Sequence, residues 1–238
     1  MDASEAMLGY RLRQHHVGVV GWLDDPEPGG RMLARLEQAT MELAGQAHCE
    51  GLPIFVPQDE SCAWAWLPLG ARDSFAVRTM RSGADLGTRF ALGAPGARLA
   101  GFRRTHRQAL GAQAVALAAG PSGQRLTSFA EVAPLALMAS SVELPAWVHE
   151  TLGPLATDDD HYARLRDTLR VFPQENGSFK ATAERLILHK NSVQYRVRKA
   201  EDALGHPVGE RRLQVELALL ASQWLGPAVL HRPEEPQP

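Results

Sequence analysis

FKATAERLILHKNSVQYRVRK, residues Phe179–Lys199, has the spacing of two short helices joined by a tight turn. The pattern predicts a first helix from Ser178 through Leu186 and a second from Asn191 to Leu204, closed by Gly205 as a left-handed cap. Small Ala183 lets the two helices approach closely, and Leu186 and Val193 are expected to fill the wedge between them. Asn191 is read as the N-cap of the second helix, because its side chain can accept from the first-turn N–H groups. Within that helix Val193, Val197, Ala200 and Leu204 recur at helical spacing and so share one buried face. Position 187 counts against a helix-turn-helix, since the turn wants a residue tolerant of positive φ and isoleucine is not one.

Lys190, Asn191, Ser192, Gln194, Tyr195, Arg196, Arg198 and Lys199 then point away from the core. Glutamine can read an adenine edge, arginine can bond guanine bidentately or grip a phosphate, and lysine and tyrosine can hold backbone oxygens. Lys190, Ser192, Gln194 and Tyr195 are expected to contact bases or phosphates, with Arg198 one turn beyond Gln194 on the same face. Arg196 and Lys199 are expected to grip phosphates, or else to pair with an acid on their own helix. The competing reading is a helical hairpin with a solvated basic face.

Charge distribution favours the first reading. Net charge is −2, yet His161–Lys199 holds nine Lys and Arg against three acids, and all three lysines of the chain (Lys180, Lys190, Lys199) lie there. His15–Ser141 is balanced, with eleven arginines and eleven acids. With 45% apolar and 22% charged residues among 238, the composition is globular and allows one large or two modest domains. Cys49 and Cys62, the only cysteines, form no CxxC pair, which excludes a disulfide framework and a cysteine-rich zinc site. The N-terminal acids Asp2 and Glu5 do not suit a signal peptide. The longest charge-free stretch, Gln108–Gln124, is broken by Gly111, Gly120 and Pro121, so no spanning helix and no membrane partner are expected. These features predict a soluble cytoplasmic protein.

Toward the N-terminus the pattern becomes mixed. Residues 1–14 read as a helix end or linker. His16–Leu23 is a near-continuous apolar run, the pattern of a central buried strand. A helix is predicted over Arg31–His48 and a hairpin from Pro53–Val56 and Ser61–Leu67, the latter placing Cys62, Trp64 and Trp66 on one face. A helix over Asp73–Phe90, a strand near Ala91–Leu99, a helix from Gly101 to Ala119, a strand at Leu126–Phe129 and a helix over Val132–Ser141 complete an α+β sandwich over residues 15–141. Pro145, Gly153 and Pro154 mark 142–158 as an interdomain segment. All-helical residues 159–226 follow. Their stripes are Tyr162, Leu165, Leu169 and Phe172 in one helix and Leu213, Leu217, Leu220 and Trp224 in the last. A Pro-rich tail, 227–238, is expected to be disordered.

The string Leu165, Thr168, Leu169, Phe172, Thr182, Ala183, Leu186, His189-Lys190-Asn191-Ser192-Val193 and Tyr195-Arg196 resembles the C-terminal helix-turn-helix of the PucR/CdaR family of bacterial transcriptional regulators. The family's usual threonine is replaced by Ser192. Leu152-Gly153-Pro154-Leu155 resembles that family's interdomain segment. Residues 10–17, Trp22-Leu23-Asp24, residues 64–67 and residues 101–106 resemble the GGDEF-like domain that precedes it. The resemblance covers roughly residues 8–225 and implies a DNA-binding regulator acting as a homodimer or higher oligomer; family members usually carry a further sensory domain upstream, so the sequence is read as either a short member or a fragment. It also raises nucleotide cyclisation, for which Asp24 and Asp59 or Glu60 would hold Mg²⁺. The hairpin Pro57-Gln58-Asp59-Glu60-Ser61 lacks the Gly-Gly that such chemistry needs near a triphosphate, so no catalysis, metal or cofactor is expected.

Three further constellations carry weaker expectations. Gly93, Gly96 and the Gly101–His106 helix start could cradle a phosphate, or simply form a turn. His15 and His16 project to opposite faces of a strand and cannot share a metal. Trp64 and Trp66 suit a sheet core or a subunit interface, and self-association through the N-terminal domain is expected. The alternative function is a sensor whose pocket for a small-molecule or nucleotide effector lies in that domain.

Overall fold

A computed structural model describes residues 5, 9–24, 31–74, 87–138 and 141–231. They fall into two units, the first within 1–117 and 123–137, the second within 118–122 and 138–238.

In the first unit β1 (His15–Leu23) is central and buried from His16 onward, as its uninterrupted apolar run requires. It pairs antiparallel with β3 (Cys62–Gly70) and with β4 (Thr88–Leu92), and at its start with the two-residue β5 (Gly96–Ala97). The hairpin partner β2 (Ile54–Pro57) forms one edge and β6 (Leu126–Ser128), parallel to β4, the other. Helix α1 (Met32–Gln46) sends Ala39, Leu43 and Ala44 into a core with Val17, Val19, Ala65, Leu67, Leu69, Phe90 and Leu92. This is the odd-numbered face of β1 and β3, so strand alternation sorts the domain into layers.

Helix α2 (Arg98–Ala118) is associated with the even-numbered face. There Trp66 stacks on Phe102 at 4.4 Å and its indole N–H donates to the Phe102 carbonyl, while Trp64 meets His106 edge-on. Glycines make the approach possible. A Cβ on Gly18 would lie 2.7 Å from the His106 backbone nitrogen, and one on Gly93 would lie 2.0 Å from the Thr105 carbonyl oxygen. The Gly18 N–H donates to Thr105 Oγ1 at 2.8 Å. Gly93, Gly96 and Gly101 are therefore packing positions, which explains them without a phosphate. Of the tryptophan pair, Trp66 is buried in the domain and Trp64 half-buried. His16 is fully buried, its Nδ1 accepting from the Tyr10 hydroxyl at 2.9 Å and its Nε2–H donating to the Leu12 carbonyl at 3.1 Å.

The expected helix over 73–90 is overturned at its end, where Thr88–Leu92 is a strand; residues 75–86 lie outside the described ones. Phe90 and Leu92 are fully buried, and pairing with β1 on one side and β6 on the other satisfies the backbone. The strand expected near Ala91–Leu99 is split by Gly93–Pro95, and α2 begins at Arg98. Residues 9–14 are not a loose linker: Tyr10 is buried, and the Leu12 N–H donates to the Glu5 carboxylate. Helix α3 (Phe129–Met138) begins three residues before the expected Val132 and closes this unit.

The second unit is helical. The interdomain segment 142–158 belongs to it: Leu144–Leu152 is helix α4, with Pro145 in its first turn where no N–H is lost, and Gly153–Ala156 is a 3₁₀ turn. Asp159 caps α5 (Asp160–Val171) by accepting from the Tyr162 N–H at 2.7 Å. Arg166, buried in α5, donates to the carbonyls of Leu155 and Thr157 and so ties that helix to the 3₁₀ turn. Helices α6 (Phe179–Leu186), α7 (Lys190–Leu204) and α8 (Arg212–Leu225) follow. The buried face of α8 is Val215, Ala218, Leu219, Ser222 and Trp224, whereas Leu213 is exposed: one step of helical phase separates this from the expected stripe. Residues 227–231 are docked rather than disordered. His231 exchanges backbone hydrogen bonds with Ala156 and Asp158, and the His149 ring donates to the Val229 carbonyl. Residues 232–238 lie outside the described ones.

Candidate nucleic-acid interface

Ser178 begins α6, its hydroxyl accepting from the Ala181 N–H at 3.3 Å. The helix ends in a paired-hydrogen-bond cap: Leu188 N–H donates to the Ala183 carbonyl and Ile187 N–H to the Glu184 carbonyl. Ile187 occupies the left-handed position of this cap, at φ 55° and ψ 48°, with its side chain 91% exposed. The turn thus forms despite the residue that counted against it, at a cost of about 1–2 kcal/mol for a non-glycine in that region.

Helix α7 starts at Lys190, with extended His189 before it and the His189 carbonyl accepting from Ser192 and Val193. Asn191 is therefore not the N-cap, and no side-chain cap closes this helix start. The turn geometry moves the start one residue earlier and leaves Asn191 exposed in the first turn. Behind it, Ala183, Val193 and Val197 form the wedge with Phe172, Phe179 and Leu188. Leu188, beyond the cap, takes the place expected of Leu186, which is half-buried. Val193, Val197 and Ala200 are buried as expected, and Leu204 half-buried.

The opposite face carries the candidate contacts. Asn191, Gln194, Tyr195 and Arg198 are exposed along one stripe, and Lys190 stands at the helix start. No acid lies in the first turn, so the positive end of the helix dipole is uncompensated there. Ser192 and Arg196 are half-buried on one flank. Lys199 is 3.7 Å from Asp202, the intrahelical pair that its spacing allowed; exposed as it is, such a pair restrains the lysine weakly.

Two clefts flank the start of α7. One, of about 490 Å³, is walled by His161 and Arg164 of α5 and by Asn191, Ser192, Tyr195 and Arg196, with Leu165 beneath. The other lies along α6 and includes Lys180, Ile187, His189 and Lys190. Of the lining residues outside the candidate contacts, His161 and Arg164 lie beyond the two-helix motif, and Lys180 and His189 lie within it but not on the outward stripe of its second helix. The basic run from His161 onward was the available signal for them.

In the first unit Asp24, where a cyclase would hold a metal, is ion-paired with Arg89 at 3.1 Å. Arg89 is buried, lies over the Trp22 ring and also donates to the Ala116 carbonyl. Asp59 is a turn acid: its carboxylate accepts from the Ser61 N–H, which holds it below the usual carboxylate range. Among the described residues there is no cluster of three or more metal-ligating side chains, and no helix is long and apolar enough to cross a membrane.

Residues 165–221 match the PucR C-terminal helix-turn-helix domain and residues 1–115 the GGDEF-like domain. A mixed-sheet GGDEF-like domain ahead of a helix-turn-helix of this type defines the class. The chain thus carries a PucR-type helix-turn-helix domain behind a GGDEF-like domain, an order consistent with the PucR/CdaR family of transcriptional regulators. It is 35% identical over 100 residues to an uncharacterized protein in the pkwA 5′ region of Thermomonospora curvata, a match spanning 41% of this chain and about half (56%) of that protein. A crystal structure of a regulator of polyketide synthase expression from Bifidobacterium adolescentis aligns over 91% of this chain and 87% of that one, at 19% identity and a TM-score of 0.38.

Proposed function

We propose that the chain is a sequence-specific DNA-binding transcriptional regulator that reads operator DNA with α7 in the major groove. The observation that carries this reading is the exposed stripe Asn191, Gln194, Tyr195 and Arg198, held rigidly by the Val193–Val197–Ala200 line on the opposite face. The N-terminal end of such a helix enters the groove, so Lys190, Asn191, Ser192, Gln194 and Tyr195 stand nearest the bases and Arg198 one turn behind. Arg196 and Lys199 flank the stripe and suit phosphates.

One helix-turn-helix offers too few contacts for tight specific binding, so paired half-sites and a self-associating chain are the physical expectation. Trp66 is buried within the domain and Trp64 half-buried. A better support for association is the row Leu99, Leu110 and Leu117, exposed on one face of α2 over about 27 Å of helix. For the sheet domain, a noncatalytic role is favoured by Asp24, since the guanidinium of Arg89 already neutralises the carboxylate that would have to hold Mg²⁺.

In vitro selection with the purified protein, followed by affinity measurements, tests the reading. Arg198→Ala weakens the selected operator by about 1–3 kcal/mol and relaxes specificity at one position if it reads a base. Lys199→Ala weakens all sequences alike and lowers the salt slope by about 1. Unchanged operator affinity in a folded double variant would mean that α7 is not the DNA-reading element.

A further inference from the structure

The cleft between α5 and α7 is walled by an arginine from each of two helices. Arg164 projects from α5 beside the His161 imidazole, Arg196 from α7, and the Ser192 and Tyr195 side chains add hydroxyl donors; no carboxylate lines it. Among the described residues Arg164 is in no ion pair. Asp167, the acid one turn along α5, bonds to Arg170 instead. Elsewhere on this unit exposed cations do find acids: Arg185 pairs with Glu175 at 2.8 Å, Arg212 with Glu216 at 2.8 Å and Lys180 with Glu184 at 3.9 Å. The cleft is thus a place where positive charge is gathered from separate helices and left without compensation.

Its scaffold is stiff. Arg166, two residues beyond Arg164, is anchored on the Leu155 and Thr157 carbonyls, and Leu165 and Leu169 are buried beneath. The Arg164 backbone therefore has little freedom relative to α7, and the Arg164 carbonyl also accepts from the Thr168 hydroxyl. A planar guanidinium on a fixed helix, beside hydroxyl donors and next to a helix start, suits a phosphate.

We propose that α5 takes part in DNA binding, with Arg164 and Arg196 clamping a phosphate of one strand in this cleft while α7 lies in the adjacent major groove. The proposal rests on the DNA-reading role of α7 but adds a helix outside the helix-turn-helix motif. It assigns Arg164 a sequence-independent contact, because Arg164 stands on α5, across the cleft from the groove-facing stripe of α7. The Tyr195 hydroxyl, on the cleft's α7 wall, is a second donor to the same strand.

The experiment uses the full chain with two duplexes, one carrying a site recovered by in vitro selection and one of random sequence, titrated from 50 to 200 mM KCl. Removing one phosphate contact removes about 0.9 from the slope of log K against log salt, so over that fourfold range wild-type affinity falls about 3.5-fold more than that of Arg164→Gln. The variant weakens both duplexes by the same factor, and Arg164→Lys recovers most of the loss. Arg198→Ala, measured alongside, loses affinity chiefly for the selected site. A folded Arg164→Gln protein with wild-type affinity and salt slope, beside an impaired Arg198→Ala, overturns the α5 clamp and leaves the reading of α7 standing. Loss confined to the selected site overturns it as well, by making Arg164 a base reader. Neither variant changing would overturn the DNA-reading role itself.

Discussion

Replacing Ile187 by glycine is expected to stabilise the protein, although it removes a large apolar side chain. The residue is held at φ 55°, where Cβ crowds the following carbonyl oxygen, and its side chain is 91% exposed, so almost no burial is lost. Relief of the left-handed conformation contributes about 1–2 kcal/mol. The greater freedom of an unfolded glycine takes back about 0.5–1 kcal/mol. The difference leaves about 0.5–1 kcal/mol in favour of the variant, a rise in midpoint of roughly 1–4 °C for a chain of this size. Thermal unfolding followed by far-ultraviolet circular dichroism reads it, with Ile187→Ala as the control. Alanine keeps Cβ and with it the crowding, so the control stays near the wild type. A glycine variant no more stable than the alanine one would refute the argument, since conformational strain would then not be what distinguishes the position.

Two further outcomes follow from the first unit. Gly93→Ala places a methyl 2.0 Å from the Thr105 carbonyl oxygen, and because both sides of the clash are backbone it costs at least about 1–3 kcal/mol in urea unfolding; a neutral result would show that α2 can lift from the sheet freely. Burial lowers the His16 and His106 pKa values below the ordinary 6.5, so the unfolded chain binds protons first as pH falls. Their contribution to stability is full above pH 6.5 and is lost as pH drops through the lowered folded values. The urea midpoint therefore declines on acidification through that window, and His106→Leu flattens the decline; an unchanged slope in that variant would exclude His106 as a contributor.

The helix-turn-helix was legible because its signals are local. The helix start at Ser178, Gly205 in the left-handed position and the Val193–Val197–Ala200 spacing each act within a turn or two of chain, and the structure shows each of them, with Ser178 as the cap of the first helix. The hairpin of β2 and β3 was legible for the same reason, since alternation and a short turn decide it together. Asn191 and Leu186 show the limit of such signals: the left-handed turn at Ile187 sets where α7 begins and brings Leu188 into the wedge, and residue preference cannot override that geometry. What only the tertiary structure decided involves distant partners. Thr88–Leu92 is a strand because β1 and β6 lie on either side of it. Gly18 is a glycine site because a Cβ there would lie 2.8 Å from the backbone carbonyl carbon of Thr105, which is distant in sequence. Residues 227–231 are ordered because Ala156 and Asp158 hold them. Arg164 joins the cleft beside α7 only because the α5–α6 corner folds it there. Caps and periodicity report the free energy of a segment with itself, whereas burial and close backbone approach are settled by segments that meet only when the chain has folded.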